Sequence, residues 1–96
     1  MSKEEIIKII REVKRQLREK YKVEEIGLFG SVVREEQKGK SDIDLLVDFR
    51  DDADIFDLVG LALFLEEKLG HKVDIVPRRA LRKEIKDVVL NELVPV

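Results

Sequence analysis

The stretch from Ile43 to Val76 constrains the fold more than any other part of the chain. Ile43, Leu45, Val47 and Phe49 alternate with Asp44, Leu46 and Asp48. That period of two predicts a strand with one apolar face. Asp51-Asp52-Ala53-Asp54 then reads as a turn leading into a helix N-cap, with acidic groups where the helix dipole favours them. Ile55, Leu58, Val59, Ala62, Leu65 and Leu69 fall on one side of a helix over 55–69, and Gly70 occupies its C′ position. Lys72 to Val76 is a further short strand, closed by Pro77. Two strands joined through a helix of this length suggest a right-handed parallel crossover.

The rest of the chain adds elements around that unit. Ser2-Lys3-Glu4-Glu5 is a capping box. It opens a helix from about Lys3 to Lys20, with Ile6, Ile10, Val13 and Leu17 in one stripe and Ile9 alongside. Val23 to Phe29 predicts a buried strand ended by Gly30-Ser31, with a short helix over 32–37 and a loop over 38–41. A last helix spans 79–93, with Leu81, Ile85, Val88 and Val89 inward. The expectation is a small α/β domain bordering on α+β. It has about three strands and helices packed on one face.

With 96 residues there is room for one core, so a single domain over 1–96 is expected. The chain has no Cys and one His, His71. That excludes disulfides, a thiolate nucleophile and a histidine-rich metal site. Nineteen Lys and Arg against 21 Asp and Glu leave a net charge of −2. Duplex DNA is therefore not expected as the main partner. No apolar run suffices to span a bilayer and no signal-peptide core is present, so a soluble, cytoplasmic protein is expected.

The chemistry concentrates around Gly30 and Asp42. Asp42 and Asp44, at i and i+2 on a strand, place both carboxylates on one face, ~6–7 Å apart along it. Such a pair repels and calls for a cation, and magnesium takes one or two protein carboxylates plus substrate phosphates. Asp74, between Val73 and Ile75, joins the same face if its strand lies beside that of Asp42 and Asp44. Three carboxylates on one sheet face suit two metal ions at an in-line displacement on phosphorus. Gly30 has no Cβ to obstruct a phosphate, and backbone N–H groups at a following helix start would bind the anion. The Ser31 hydroxyl can donate to a phosphate oxygen. Arg34, one turn on, can make a bidentate phosphate contact.

Gly30-Ser31, ten intervening residues, Asp42-Ile43-Asp44 and the later Val73-Asp74-Ile75-Val76 resemble the nucleotidyltransferase superfamily typified by DNA polymerase beta. The whole chain, through its Asn91-Glu92-Leu93-Val94-Pro95-Val96 ending, is similar to the minimal nucleotidyltransferase (MNT) domains. The resemblance implies a mixed sheet with the nucleotidyltransferase fold and a site for Mg2+, with two ions, and for ATP or another NTP. It implies Asp42, Asp44 and Asp74 as catalytic metal ligands and Gly30, Ser31 and Arg34 as nucleotide-binding residues. It further implies an antitoxin that puts AMP on a tyrosine of a partner HEPN-domain toxin. One position departs from the family, which has Gly after the motif Arg where this chain has Glu35.

A second reading is a non-catalytic antitoxin or nucleotide-binding module that neutralises its partner by binding. A larger, antibiotic-modifying type of nucleotidyltransferase is disfavoured, because no second domain is present to hold an acceptor. Gly39-Lys40-Ser41 mimics a P-loop end, but Arg34 stands where that loop needs Gly, and a strand follows instead of a helix. The acidic run from Asp51 to Asp57 lacks the Gly and Glu of an EF-hand. Arg78, Arg79, Arg82 and Lys83 form a basic cluster, either a solvated helix face or a contact for phosphates of a partner.

Overall fold

The computed structural model describes residues 1–34 and 42–96. Helix α1 (Lys3–Tyr21) starts at the expected capping box, with the Ser2 hydroxyl accepting from the Glu5 N–H at 3.2 Å. It ends at Lys22, whose φ of 59° closes the helix in the left-handed region. Strand β1 (Val23–Phe29) follows, then a 3-10 turn over Gly30–Val32. The chain continues through β2 (Ile43–Phe49), α2 (Ile55–Leu69) and β3 (Val73–Pro77). A second 3-10 turn (Arg78–Ala80) leads to α3 (Lys83–Glu92) and a two-residue strand, β4 (Val94–Pro95). Residues 35–41, which include Glu35, the second half of the expected short helix and Gly39-Lys40-Ser41, lie outside the described residues.

The sheet has four strands in the order β3-β2-β1-β4, one more than the strand patterns predict. β2 and β3 run parallel through α2, as the crossover pattern requires, while β1 pairs antiparallel with both β2 and β4. The sheet is therefore mixed. A bulge at Glu24 separates the Val23↔Phe49 and Glu25↔Asp48 pairs, so Glu24 and Glu25 both face water.

Alternation along β2 builds the core. Ile43, Leu45, Val47 and Phe49 are buried with Ile6, Ile10 and Leu17 of α1 and Leu61, Leu65 and Leu69 of α2. Both long helices thus cover one face of the sheet. The buried line of α2 is Leu61, Leu65 and Leu69, whereas Ile55 and Val59, read as inward, are 61% and 50% exposed. The helix is apolar nearly all round, so its period alone did not decide which side packs. Its start is a second capping box, Asp54 with Asp57.

The last helix is shorter than its pattern predicts, and Ile85 and Val88, expected inward, are exposed. Its buried residue is Val89, outside the main cluster. Its end approaches β1 closely: a Cβ on Gly27 would stand 2.7 Å from Leu93 Cδ1. β4, paired at Gly27↔Pro95 and Leu28↔Val94, and the Val96 N–H bonded to the Ile26 carbonyl at 3.0 Å fix this end to the sheet edge. No described helix is long and apolar enough to cross a membrane.

Candidate active site

The polar face of β2 carries the site. Register places Phe29, Asp44 and Asp74 abreast on three neighbouring strands, Phe29↔Asp44 in the antiparallel pair and Asp44↔Asp74 in the parallel one. Residues abreast share a face, so Asp74 lies on the face of Asp44, as its position in the sequence predicts. Asp42 precedes β2 by one residue and is exposed, as is Asp74.

Asp44 is half-buried, and its carboxyl is held above its ordinary value. Burial is the main cause, followed by the negative charges of Asp74 and Asp42. Arg34 opposes the shift and Glu92 adds to it. Among the described residues, no three acidic or histidine side chains form a ready-made metal cage. The donors are hard oxygens that repel one another. This set fits a cation that takes one or two carboxylates and completes its shell from phosphate and water.

Gly30 must be glycine. Its φ is +77°, and a Cβ there would collide with the Asp44 carboxylate. The Gly-Ser turn and the acidic strand are thus in direct apposition, although ten residues separate the two motifs in sequence. The turn is tightened by the Arg34 N–H donating to the Gly30 carbonyl at 3.1 Å. Ser31 is half-buried beside it.

Glu92, the last residue of α3, enters this site from a distance in sequence. Its Oε1 accepts the Gly30 N–H at 2.8 Å, and both its oxygens accept from Arg34 Nη1 at 3.0 Å. The Arg34 guanidinium, expected to meet phosphate, thus also has a carboxylate partner within the chain, and the same carboxylate takes the Gly30 N–H. Nothing in the spacing of Glu92 signals this, because the contact depends on the β4 anchor that brings the end of α3 to β1.

A cleft of ≈ 340 Å³ opens over the row of acids, lined by Phe29, Asp44, Asp74, Val76, Ala80, Leu81, Arg82 and Ile85. Arg82, one of the basic cluster, stands on its wall. The walls otherwise contributed by β3 and α3 are apolar. Among the described residues, the cleft thus combines acidic groups at its base, the Arg82 cation on its wall and an aromatic ring at the end of β1. That combination can hold a cation-bound polyphosphate and a planar or apolar group together.

Comparison with known proteins agrees with this geometry. Residues 10–96 match the family model described as the nucleotidyltransferase domain. A protein adenylyltransferase MntA of Thermococcus cleftensis is 44% identical over 91 residues, covering 95% of this chain and 92% of that protein. A solved structure described as a minimal nucleotidyltransferase superposes with a TM-score of 0.82 at 37% identity, covering 96% of this chain and 94% of that one. A tri-AMPylated HEPN toxin of Shewanella oneidensis in complex with its MNT antitoxin gives a TM-score of 0.62 at 27% identity, covering 96% of this chain and 66% of that one. With its Gly-Ser turn set against a row of strand-borne carboxylates, this chain belongs to the nucleotidyltransferase domain family of enzymes.

Proposed function

We propose that this protein is a magnesium-dependent protein adenylyltransferase. It moves AMP from ATP to a tyrosine hydroxyl of a HEPN-domain toxin and so acts as that toxin's antitoxin. The observation that carries the reading is the apposition of Gly30 with Asp44, with Asp74 in register beside it. The adenylyltransferase relative and the AMPylated toxin complex supply the substrate class and the partner.

The acceptor oxygen attacks the α-phosphorus of ATP in line, and pyrophosphate leaves. Asp42, Asp44 and Asp74 would hold Mg2+, with two ions the expected number. The metal supplies neutralisation of triphosphate charge and polarisation of the phosphoryl oxygens. Asp74, exposed on the cleft side of β3, takes the proton of the acceptor hydroxyl. Gly30 lets the turn approach the nucleotide, and the Ser31 hydroxyl donates to the β- or γ-phosphate. Arg34, paired with Glu92 through one nitrogen, binds the nucleotide's phosphates from the turn, while Arg82 on the cleft wall offers a second cation to them. Most of the acceleration in such a site is positioning and charge neutralisation.

The test is transfer of label. Wild-type protein, Mg2+, α-labelled ATP and the HEPN partner should yield labelled partner, and tyrosine-to-phenylalanine changes in the partner should identify the acceptor. Asp74→Asn should lower transfer by ~10³ while ATP binding persists, because Asp42 and Asp44 still hold the nucleotide-bound cation. A wild-type chain that protects cells and moves no label would replace this reading with neutralisation by binding alone.

A further inference from the structure

We propose that Glu92 is a positioning residue for the nucleotide turn, holding the Gly30–Arg34 segment in its binding-competent shape from across the sheet. This rests on the adenylyltransferase reading for the identity of the ligand. Three bonds carry it. Glu92 Oε1 accepts the Gly30 N–H at 2.8 Å, and both carboxylate oxygens accept from Arg34 Nη1 at 3.0 Å. One carboxylate thus grips the first residue of the turn through its backbone and the fifth through its side chain. The Arg34 N–H to Gly30 carbonyl bond closes the ring within the turn.

The placement runs against the local charge. Asp42, Asp44 and Asp74 already crowd this face, and Glu92 adds a further negative group that pushes Asp44 the same way. A fourth acid beside a triphosphate site is unfavourable unless its charge is spent elsewhere. Here it is spent on Arg34 and on a backbone N–H, both charge-assisted contacts. The Glu92 side chain is only 19% exposed, so its bond to the Gly30 N–H is shielded, while its bonds to the 46% exposed Arg34 face water.

The mounting of Glu92 is rigid. Leu93, the next residue, packs where a Gly27 Cβ would stand, and Val94 pairs with Leu28 in β4. The position of the turn is therefore set by α3 and β4 together with β1. Gly30, which has the widest backbone freedom of any residue type, is held at both its φ and its N–H. One nitrogen of the Arg34 guanidinium is thereby tied to Glu92.

Three variants and two readouts test this. Nitrogen–proton NMR of the full chain reports whether the Gly30 amide is protected from exchange, and calorimetry with MgATP reports affinity. Glu92→Ala should expose the Gly30 amide and weaken MgATP by about tenfold or more. Glu92→Gln keeps an oxygen for the Gly30 N–H, so it should retain amide protection and lose only about threefold. The exchange E92R/R34E restores an ion pair between the two elements but offers the Gly30 N–H no acceptor at position 92. It should recover thermal stability without recovering nucleotide affinity. A purely structural salt bridge predicts that the exchange restores both, which would overturn the proposal. Tighter MgATP binding by Glu92→Ala would overturn it too, by showing that the carboxylate competes with phosphate for the N–H. Equal binding by wild type and Glu92→Ala would sink this proposal alone. A wild-type chain with a protected Gly30 amide and no affinity for MgATP would sink the nucleotide reading and this proposal with it.

Discussion

Asp44 and Leu45 are neighbours in β2, yet they live in opposite environments. Leu45 is fully buried between the sheet and the two long helices. Asp44 is half-buried among charges of its own sign, with its carboxyl pushed above the ordinary value. One strand therefore presents a face that stabilises the fold and a face that works against it. The dry face is satisfied by this chain alone, whereas the acidic face is satisfied only when counter-charge arrives. Function sits where the fold is least content, and the two faces should answer substitution with opposite signs.

The largest effect is expected on the dry face. Leu45→Ala removes a side chain with no exposed surface and leaves a cavity beneath α1 and α2. A loss of ~2–5 kcal/mol is expected, measured by denaturant unfolding at constant slope. At this chain length, such a loss would unfold a large fraction of molecules near their working temperature. A loss below ~1 kcal/mol would mean that the two faces differ far less than burial indicates.

Gly30→Ala probes the seam between the faces. The new methyl meets the Asp44 carboxylate, and the backbone sits at φ +77°, which L-residues rarely adopt. Stability should fall by ~1–3 kcal/mol, less than for Leu45→Ala, because backbone strain and a displaced carboxylate cost less than an unfilled cavity in the core. Transfer of AMP should fall by ~10² or more, because displacement of the turn by an ångström misplaces the phosphates. Labelling rates compared at matched folded fraction separate the two effects.

The contrast between the faces also explains what could be read from the chain. The dry face was legible because its signals are local: the Ser2 and Glu5 capping box, the alternation from Ile43 to Phe49, and Gly70 at the helix end. The expectation that Asp74 shares a face with Asp44 rests on parity, and the parallel β2–β3 pairing brings the two into register. The failures have physical causes. β4 is two residues long and contains Pro95, so it has no period to detect. Ile55 and Val59 fit an apolar stripe on a helix that has apolar residues on every side. Glu92 could not be found because its partners, Gly30 and Arg34, stand 62 and 58 residues away. Only the tertiary route through β4 brings them together.

Asp44→Asn should reverse the sign seen at Leu45. It removes a charge that burial, Asp74 and Asp42 all disfavour. The apo protein should gain stability, with a melting temperature higher by a few degrees, while transfer is lost. Scanning calorimetry without nucleotide or divalent metal checks this. Addition of MgATP should then stabilise wild type and leave Asp44→Asn largely unmoved, because only the wild-type site binds. A variant that melts below wild type in the absence of ligand would show that Asp44 supports the fold rather than straining it.

The smallest effect is a dependence on pH, and it sharpens the comparison because two carboxylates carry it in opposite directions. The folded protein holds Asp44 above 3.8, so folding favours its protonated form. Its contribution to stability is fully present below that ordinary value and is lost as pH rises through the raised one. Asp57 is the reverse. The Asp54 N–H donates to its carboxylate at 3.0 Å and Lys22 lies 3.4 Å away, and these hold it below 3.8. Its contribution is present above that value and is lost as pH falls through the lowered one. Melting curves from about pH 7 down to about pH 3 should therefore show two trends. The advantage of Asp44→Asn over wild type should shrink on acidification, as the wild-type carboxyl takes up its proton and loses its charge. The deficit of Asp57→Asn should shrink over a lower range of pH, as the wild-type cap is itself protonated. The two difference curves should approach zero from opposite sides, with that of Asp44 starting first. If the Asp44→Asn advantage were flat across this range, the acidic face would carry no charge strain, and its contrast with the dry face would reduce to burial alone.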